Sequence, residues 1–505
     1  MKRVFMLLLI LALMLLVSAL AEDEILTGYR SDFSNDFDGW YPRSTGTAEL
    51  ENTGIFLKIT GRTAAWNSPG RDFNLTPGQK YEFSFAVKQN DVDSAEFMVS
   101  VAHSKFGIES YENLAKATMK RGVWTVISGT YTPAAYDNYI LYVETVANGT
   151  IDFMIKDISV EPSGIIYDHT LPSLKDTFSG YFDFGCALNN TQLLDKPRME
   201  FVSKQFNIIT HENEFKPDAV IDISASRALA KSDETAVAVT FTRAKSLLDY
   251  CKNNGLKLHG HVLVWHSQTP DAFFREGYSS TGAYVTREVM LKRMENYIRQ
   301  VFEYTETNYP GVIVSWDVVN EAVADAGGVL RKSNWTNVVG QDFVNRAFEY
   351  ARKYAPEGTL LYYNDYNTPM EPKLSAICKL LDSLIADGTI DGYGFQAHYS
   401  GNSPAPSSVR KAFELISGKN LKIRISEMDV GITDNSDLQK RIQAYRYKAL
   451  FEIFIDYADH IEAVQLWGVT DDRSWRSDEY PLLFDEKARP KYAYYAVLET
   501  AGITE

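Results

Sequence analysis

The sequence predicts a two-domain α/β protein in which an antiparallel β-sandwich precedes a (β/α)8 TIM barrel. The chain has 505 residues, which is more than one hydrophobic core usually organises. Residues 26–163 consist of short alternating strand patterns, whereas residues 170–502 alternate apolar strands with amphipathic helices. Roughly eight strand–helix units favour a closed barrel over a doubly wound sheet, because the latter usually carries a glycine-rich nucleotide loop.

Residues 1–21 have the pattern of a secretory signal peptide. Lys2 and Arg3 precede an apolar stretch at residues 4–20, and Ala19-Leu20-Ala21 has the small-residue spacing of a cleavage site. The alternative is a membrane anchor, because the stretch is close to the length that spans a bilayer. The acidic residues that follow directly favour cleavage, so we expect a secreted protein with no membrane attachment after cleavage.

The charge and the cysteines exclude several classes of function. The net charge of −15 becomes −17 without the two basic residues of the signal peptide, which argues against nucleic-acid and anionic membrane partners. The three cysteines, Cys186, Cys251 and Cys378, are too few for a disulfide framework. No cysteine–histidine cluster has zinc spacing, and no glycine-rich phosphate loop follows a strand.

In the predicted sandwich, alternation with a period of two marks strands at residues 80–87, 139–144 and 151–155. Turn residues such as Thr76-Pro77-Gly78 separate these runs, and few stretches show a helical period. The segment at residues 162–164 is the predicted linker to the second domain.

In the predicted barrel, apolar runs alternate with amphipathic segments. The candidate strands are residues 181–188, 206–210, 256–265, 312–319, 358–366, 392–399, 421–426 and 461–469. The clearest helical segments are residues 242–253, 287–306, 343–354 and 438–454. This order is typical of a parallel barrel with an outer ring of helices.

Two glutamates directly follow two of these strands. Glu321 ends the segment that begins at Trp316, and Glu427 follows the strand at residues 421–426. The C-terminal ends of barrel strands meet at one face, so both carboxylates should face one cleft. A pair of this kind is what glycoside hydrolysis requires.

Polar and aromatic side chains follow most of the other strands as well. A single such residue is as readily a hydrogen-bonded group at a strand end, but seven strands together indicate one site. Tryptophan faces stack on sugar rings, whereas a metal site would not need them. A serine triad would need a Gly-x-Ser-x-Gly elbow, which is absent near these strand ends.

The second half of the chain resembles glycoside hydrolase family 10, whose members are endo-β-1,4-xylanases. The order and spacing of the motifs agree over about residues 170–500. The motifs are Glu212–Pro217, His259–Gln268, Trp316–Glu321, Tyr363–Asn367, Gln396–His398, Ser426–Asp429 and Leu466–Asp471.

The resemblance implies a retaining hydrolase of xylan and xylo-oligosaccharides without a catalytic cofactor, and we expect a monomer. It makes Glu321 the acid/base and Glu427 the nucleophile, with His398 bonded to the nucleophile and Asp429 supporting that bond. The two carboxyl groups of a retaining pair are about 5–5.5 Å apart. The implied substrate contacts are Glu212, Asn213, Lys216, His261, Trp265, Gln268, Asn320 on the 2-hydroxyl, Tyr366 on the leaving-group side, Gln396, Trp467 and Trp475.

The first half resembles carbohydrate-binding module family 22 more loosely. The segments that carry the resemblance are Gly39–Arg43, Leu57–Arg62, Trp66–Pro69, Leu141–Glu144 and Ile155–Val160. It implies xylan contacts at Arg43, Trp66, Tyr111 and Glu144, although Trp66 and Tyr111 are open to an alternative as core aromatics of the sandwich. It also implies a structural calcium ion with oxygen ligands from Asp36, Asp38 and Asp157.

Alternatives to the xylanase prediction stay open at this stage. An endo-β-1,4-glucanase or a mixed-specificity hydrolase is one, because similar barrels place the same two glutamates for other glycans. A non-catalytic polysaccharide-binding protein is another, but it would be expected to lack Glu321 or Glu427. Residues 219–239 depart from the family pattern by being longer and more polar, which predicts a reshaped glycone end of the cleft.

Overall fold

The computed structural model of the protein describes residues 28–34, 36–43, 48–105, 108–147, 149–326, 328 and 330–503. The predicted signal peptide lies outside these residues. The chain divides into two compact units, Met1–Ile166 and Tyr167–Glu505. Within the described ranges, no helix is long and apolar enough to cross a membrane.

The first unit is an antiparallel β-sandwich, which confirms the predicted fold class. Its strands are β1 (Tyr29–Ser31), β2 (Tyr41–Pro42), β3 (Glu49–Asn52), β4 (Leu57–Thr60), β5 (Pro69–Phe73), β6 (Tyr81–Gln89), β7 (Ser94–Lys105), β8 (Ile108–Lys120), β9 (Thr125–Tyr131), β10 (Asn138–Thr145) and β11 (Phe153–Pro162). One sheet has the order β3-β4-β11-β6-β9 with β1 beside β11, and the other has the order β2-β5-β10-β7-β8. The alternating side chains of facing strands meet between the sheets, where Phe97 of β7 packs on Phe153 of β11 with ring centroids 5.3 Å apart.

The second unit is a closed barrel of parallel strands, which confirms the TIM-barrel prediction. Its strands are β12 (Asp183–Leu188), β13 (Ile208–His211), β14 (Lys257–Gly260), β15 (Val264–Trp265), β16 (Ile313–Asn320), β17 (Leu360–Asp365), β18 (Gly392–Phe395), β19 (His398–Ser400), β20 (Lys422–Gly431) and β21 (Ile461–Leu466). The order is β14-β13-β12-β21-β20-β18-β17-β16, and pairing of β14 with β16 closes the ring. The short strands β15 and β19 extend the barrel edge beside β16 and β20.

Helices alternate with the strands of the barrel. They are α1 (Leu174–Thr177), α2 (Lys196–Gln205), α3 (Pro217–Val220), α4 (Ile223–Leu229), α5 (Lys245–Asn254), α6 (Arg287–Asn308), α7 (Asn334–Val338), α8 (Phe343–Tyr354), α9 (Lys373–Ala386), α10 (Pro406–Ser417), α11 (Asp437–Asp456) and α12 (Tyr492–Thr500). Short 3-10 turns lie at residues 192–194, 271–274, 276–278, 458–460, 471–473 and 477–479. The hydroxyl oxygens of Thr286 and Ser436 accept backbone N–H bonds at the starts of α6 and α11, which satisfies otherwise unpaired donors.

The packing of Trp316 against the outer helices explains the glycine in the His259-Gly260-His261 segment, since the ring centroid of Trp316 lies 5.8 Å from that of Phe302 in α6. A Cβ atom on Gly260 would lie 2.2 Å from the indole of Trp316, whose side chain is 1% exposed. Trp316 therefore fills the space that a larger residue at position 260 would need.

Residues 219–239 comprise the end of α3, all of α4 and a polar segment that packs against α6. The buried Arg293 of α6 donates to the carbonyl oxygen of Glu234 at 2.8 Å and pairs with its carboxylate at 2.5 Å. The hydroxyl of Tyr278 donates to the carbonyl of Ala236 at 2.6 Å. These contacts give the polar segment its own anchoring on the outer helix ring.

Candidate functional site

Both predicted carboxylates lie at the C-terminal face of the barrel. Glu427 lies within β20 rather than beyond its end, because that strand continues to Gly431 and not only to residue 426. Its side chain is buried at 5% exposure. Glu321 follows β16 directly and is half-buried.

A chain of amide hydrogen bonds joins the two carboxylates. Asn364 Nδ2 donates to Glu427 Oε1 at 2.7 Å and lies 3.1 Å from Asn320 Oδ1. Gln396 Nε2 donates to the same Asn320 oxygen at 3.0 Å and to Glu321 Oε1 at 2.9 Å. The two acids therefore belong to one continuous polar network.

Glu427 lies in an environment that favours its ionised form. Burial opposes the charge, but the hydrogen bond from His398 and the neighbouring imidazole charges hold the pKa of this carboxyl below its ordinary value. His398 Nε2 lies 3.2 Å from Glu427 Oε2. The carboxylate is consequently fixed through both oxygens, by His398 and by Asn364.

His398 is held between two carboxylates. Its Nδ1 atom lies 2.8 Å from Asp429 Oδ2. Burial disfavours the imidazolium, but Asp429 and Glu427 raise the pKa of His398 to about 10. Both ring N–H groups therefore donate near neutral pH.

Asp429 is held in turn by the loop that follows β21. Trp475 Nε1 donates to Asp429 Oδ2 at 3.0 Å, and Arg476 Nη1 donates to Asp429 Oδ1 at 2.5 Å. Arg476 also pairs with Glu479, and a Cβ on Gly431 would lie only 2.2 Å from the Glu479 carboxylate. The glycine at the end of β20 thus leaves room for this ion pair beside the site.

Glu321 accepts hydrogen bonds through both carboxylate oxygens. Trp265 Nε1 donates to Oε2 at 3.1 Å, while Gln396 and Asn320 lie 2.9 and 3.3 Å from Oε1. The backbone of Glu321 has a φ of 56°, which is rare for a residue with a Cβ. Such conformations often occur at functional sites, where surrounding contacts hold them in place.

The predicted glycone contacts line one side of the same face. Lys216 Nζ donates to Asn213 Oδ1 at 3.1 Å and lies 5.1 Å from the ring centroid of Trp265. Asn189 Nδ2 donates to Glu212 Oε2 at 2.7 Å. Burial lowers the pKa of the Lys216 amine, and the nearby carboxylates oppose this shift.

The two predicted tryptophans after β21, Trp467 and Trp475, differ in exposure. The ring of His261 lies 5.4 Å from Trp467, which is 7% exposed. Trp475 is 61% exposed and packs edge to face against His398, with ring centroids 5.0 Å apart. Gln268 has a φ of 38°, and its carbonyl accepts the N–H of Asp218.

Tyr366 lies in a cluster of charged groups. Its hydroxyl donates to Asp325 Oδ2 at 2.7 Å and accepts from Arg331 Nη2 at 2.8 Å. Lys373 Nζ lies 3.6 Å from the ring centroid of Tyr366 and 2.7 Å from Asp365 Oδ1. The ring is therefore fixed in orientation from several sides.

Several residues of the site had no assigned role in the sequence analysis. Asn364 and Asp317 belong to recognised motifs, and the alternation of a strand could have indicated that both side chains point inward. Asp317 is buried, with Oδ2 2.9 Å from His261 Nδ1 and 3.0 Å from His259 Nε2, and the two histidines lower the pKa of this buried acid. Arg331 and Arg476 lie on loops, where no periodic pattern indicates the direction of a side chain.

The first unit has a groove of about 630 Å³ on the sheet that contains β10. All four predicted contacts, Arg43, Trp66, Tyr111 and Glu144, line it. Trp66 is 53% and Tyr111 58% exposed, so neither is a core aromatic of the sandwich. The guanidinium of Arg43 lies 3.6 Å from the ring centroid of Tyr142, which orients it along the groove floor.

The predicted calcium ligands are engaged with protein donors. Asp38 accepts from Ser31 and from the N–H of Phe33, Asp36 accepts from the N–H of Asp38, and Asp157 pairs with Lys156. Asp38 and Asp157 do line one surface cavity. Among the described residues no group of three or more His, Cys, Asp or Glu side chains is placed to hold a metal ion. The calcium ion stays a prediction from the resemblance.

Comparisons with known proteins found matches to both units of the chain. The family model described as glycosyl hydrolase family 10 matches residues 173–500, and one described as a carbohydrate binding domain matches residues 27–149. An endo-1,4-beta-xylanase Y of Acetivibrio thermocellus is 32% identical over 506 residues, covering 92% of this chain and 46% of that protein. An endo-1,4-beta-xylanase B of Butyrivibrio fibrisolvens is 39% identical over 339 residues, covering 65% of this chain and 53% of that protein. The chain spans about half the length of the curated relatives it matches.

A solved structure resembles almost the whole chain. The CBM22-1–GH10 modules of endo-1,4-beta-D-xylanase 10B from Clostridium thermocellum, complexed with xylohexaose, have a TM-score of 0.61 at 31% identity. The match covers 93% of this chain and 96% of that one. These findings confirm the resemblance of the barrel to family 10 and the presence of a binding domain before it. The chain belongs to glycosyl hydrolase family 10, with a carbohydrate-binding domain that precedes its barrel.

Proposed function

We propose that the chain is a retaining endo-β-1,4-xylanase, with Glu427 as nucleophile and Glu321 as acid/base. The observation that carries the proposal is the hydrogen-bonded chain that joins these two carboxylates at the C-terminal face of a family 10 barrel. The similarity to proteins named endo-1,4-beta-xylanases supports xylan as the substrate.

Glu427 attacks the anomeric carbon. The ionised form is the nucleophile, and the low pKa of this carboxyl, held down by His398 against the effect of burial, supplies it. The imidazolium of His398 also fixes one carboxylate oxygen in place. Asp429 and Arg476 keep the imidazole oriented from behind.

Glu321 acts first as general acid and then as general base. In the first step it gives its proton to the glycosidic oxygen while the bond between that oxygen and the anomeric carbon breaks, and the sugar becomes esterified on Glu427. In the second step the Glu321 carboxylate takes a proton from water as water attacks the same carbon and Glu427 leaves. Two displacements restore the original configuration.

The sugar chain binds along the tryptophan-lined side of this face. The indoles of Trp265, Trp467 and Trp475 offer apolar faces for the ring C–H bonds, while the amine of Lys216 binds hydroxyl groups. Tyr366 holds the sugar on the leaving-group side. The groove of the first unit binds a further stretch of xylan, since exposed Trp66 and Tyr111 flank its polar floor.

Hydrolysis of xylan followed by NMR tests the reaction. We expect the β-anomer of the new reducing end to appear first, and little reducing sugar from carboxymethylcellulose. An initial α-anomer would contradict retention. Release of sugar from carboxymethylcellulose alone would replace the proposal by an endo-β-1,4-glucanase, and binding of xylan without any product would replace it by a non-catalytic protein.

Azide rescue tests the two roles separately. Glu321→Ala should fail on xylan, yet still react with a dinitrophenyl glycoside, and azide should restore its turnover with formation of a β-glycosyl azide. Glu427→Ala is the matched control, for which azide should give product of inverted configuration. Rescue with the opposite stereochemistry in the two variants would reverse the assignment.

We infer in addition that the chain is exported and acts as a monomer. The support for export is the basic, then apolar, N-terminal sequence with Ala19-Leu20-Ala21 at its end. Mass spectrometry of protein from the culture medium should give an N-terminus at Glu22, and light scattering should give a single-chain mass. Protein retained with its first residues in the membrane fraction would contradict cleavage.

A further inference from the structure

The acid/base residue has a backbone conformation that needs external support. Glu321 has a φ of 56°, in the left-handed region that glycine adopts more readily than other residues. Its N–H donates to the carbonyl of Asn364 at 2.9 Å. Its carbonyl oxygen accepts a hydrogen bond from Arg331 Nε at 3.2 Å. The peptide groups on both sides of the Glu321 side chain are thus fixed.

Arg331 is itself well anchored beside this residue. Its backbone N–H donates to the carbonyl of Ala322 at 2.7 Å, and Val323 pairs with Leu330 in an antiparallel bridge. The loop that leaves the barrel at Glu321 therefore returns to it at Arg331. This brings the guanidinium back to the residue at which the loop begins.

The same guanidinium also contacts Tyr366, which the proposed function assigns to the leaving-group side. While Nε donates to Glu321, Nη2 donates to the hydroxyl of Tyr366 at 2.8 Å. The Asp325 carboxylate lies 3.8 Å away, so it partly balances the charge of Arg331. The planar fork of arginine can make both bonds at once, which a lysine amine on a flexible stem cannot do with the same geometry.

We propose that Arg331 is a positioning residue for proton donation, which couples Tyr366 to the backbone of Glu321. The inference rests on the proposed function, because it concerns the first step of that reaction. In this step the Glu321 proton moves to the glycosidic oxygen, the bond from that oxygen to the anomeric carbon breaks, and a bond from Glu427 to the carbon forms. Through its bond to the Glu321 backbone, Arg331 keeps the Glu321 carboxyl group aligned with the glycosidic oxygen that receives the proton.

The test is the dependence of the loss of activity on the leaving group. Aryl β-xylobiosides of phenol, 4-nitrophenol and 2,4-dinitrophenol need decreasing protonation in that order, and kcat/KM reports the first step for all three. Arg331→Met should lower kcat/KM by about 10- to 100-fold for the phenyl glycoside, because a displacement of about 1 Å costs up to that factor. The loss for the dinitrophenyl glycoside should stay below about threefold.

Two further variants separate positioning from charge and from folding. Arg331→Lys keeps the charge but loses the fork, so it should show the same dependence on the leaving group with a smaller loss; it also serves if the methionine variant does not fold. Asp325→Asn is the matched control, because Asp325 accepts from the same Tyr366 hydroxyl but has no hydrogen bond to Glu321. It should lower kcat/KM by a similar factor for all three glycosides.

The outcomes distinguish this inference from the proposed function. The inference would be supported if the loss in kcat/KM increased strongly from the dinitrophenyl to the phenyl glycoside in both Arg331 variants but was the same for all three glycosides in Asp325→Asn. Equal losses on the three glycosides in the Arg331 variants, with an active wild-type protein, would overturn the inference alone. A wild-type protein that hydrolyses none of them and releases nothing from xylan would overturn the proposed function and the inference together.

Discussion

His398 should carry a positive charge across the neutral range, and its replacement tests the link between Glu427 and Asp429. Burial opposes the charge, but the two carboxylates raise the pKa of His398 from 6.5 to about 10. This difference corresponds to about 5 kcal/mol of preference for the charged form in the folded protein. Because folding raises this pKa, the contribution to stability is complete below about pH 6.5 and is lost as the pH rises through about 10.

His398→Gln removes the titrating group and keeps a hydrogen-bond donor. The wild type should lose its advantage in free energy of unfolding over this variant between pH 6.5 and 10, by up to about 5 kcal/mol. Urea unfolding of the full chain at several pH values measures the difference. NMR titration of the histidine ring protons, with the variant identifying the signal, measures the pKa directly.

A second variant separates the two carboxylates. Asp429 makes the largest contribution that raises the pKa of His398, so Asp429→Asn should move the titration of the ring to lower pH. A ring that titrates near 6.5 in the wild type, or a stability difference that does not change with pH, would refute the reasoning.

Other features of the structure give three more predictions. In a Glu427→Ala background, which should not hydrolyse the ligand, Trp66→Ala with Tyr111→Ala should weaken binding of xylohexaose about 30-fold in calorimetry, since each of the two exposed aromatic faces contributes about 1 kcal/mol. Ile55→Ala, an exposed apolar control, should leave the affinity unchanged, and an unchanged affinity in the double variant would show that the groove does not bind the sugar. Gly260→Ala should destabilise the barrel by about 1–3 kcal/mol, because its Cβ would meet a buried indole, and a thermal midpoint equal to that of wild type would contradict this. Arg293→Met should cost about 2–3 kcal/mol by leaving buried carbonyls unpaired, and increased proteolysis at residues 219–239 would report it; resistance equal to that of wild type would count against the anchoring.

The periodic parts of the molecule could be predicted from the sequence, and for a physical reason. A parallel barrel strand is apolar on both faces, so its hydrophobic run and the polar residue that ends it are visible in the sequence. Glu321 could be placed in this way at the end of β16. The extent of β20 was predicted less well, since Glu427 and Asp429 interrupt the apolar run although the strand continues to Gly431.

The contacts that tune the site could not be predicted in the same way. Arg331 and Arg476 reach Glu321 and Asp429 from loops, and the course of a loop depends on long-range packing rather than on a local period. The exposure of Trp66 could not be predicted from the sequence either, because an aromatic residue beside a strand fits a core as well as a surface groove. Only the assembled sheet shows on which side it lies.

The amide chain from Glu427 through Asn364, Asn320 and Gln396 to Glu321 has a consequence for how this site can change. Each amide orients its neighbour, so replacing one in the middle of the chain disturbs the Glu321 carboxyl group at one end and the Glu427 carboxyl group at the other. Two such replacements together should then lower activity by less, in free energy, than the sum of the two single effects, because the first replacement already breaks the hydrogen-bonded chain on which the second acts. The two carboxyl groups should therefore respond to substitutions in the chain of amides as a single unit.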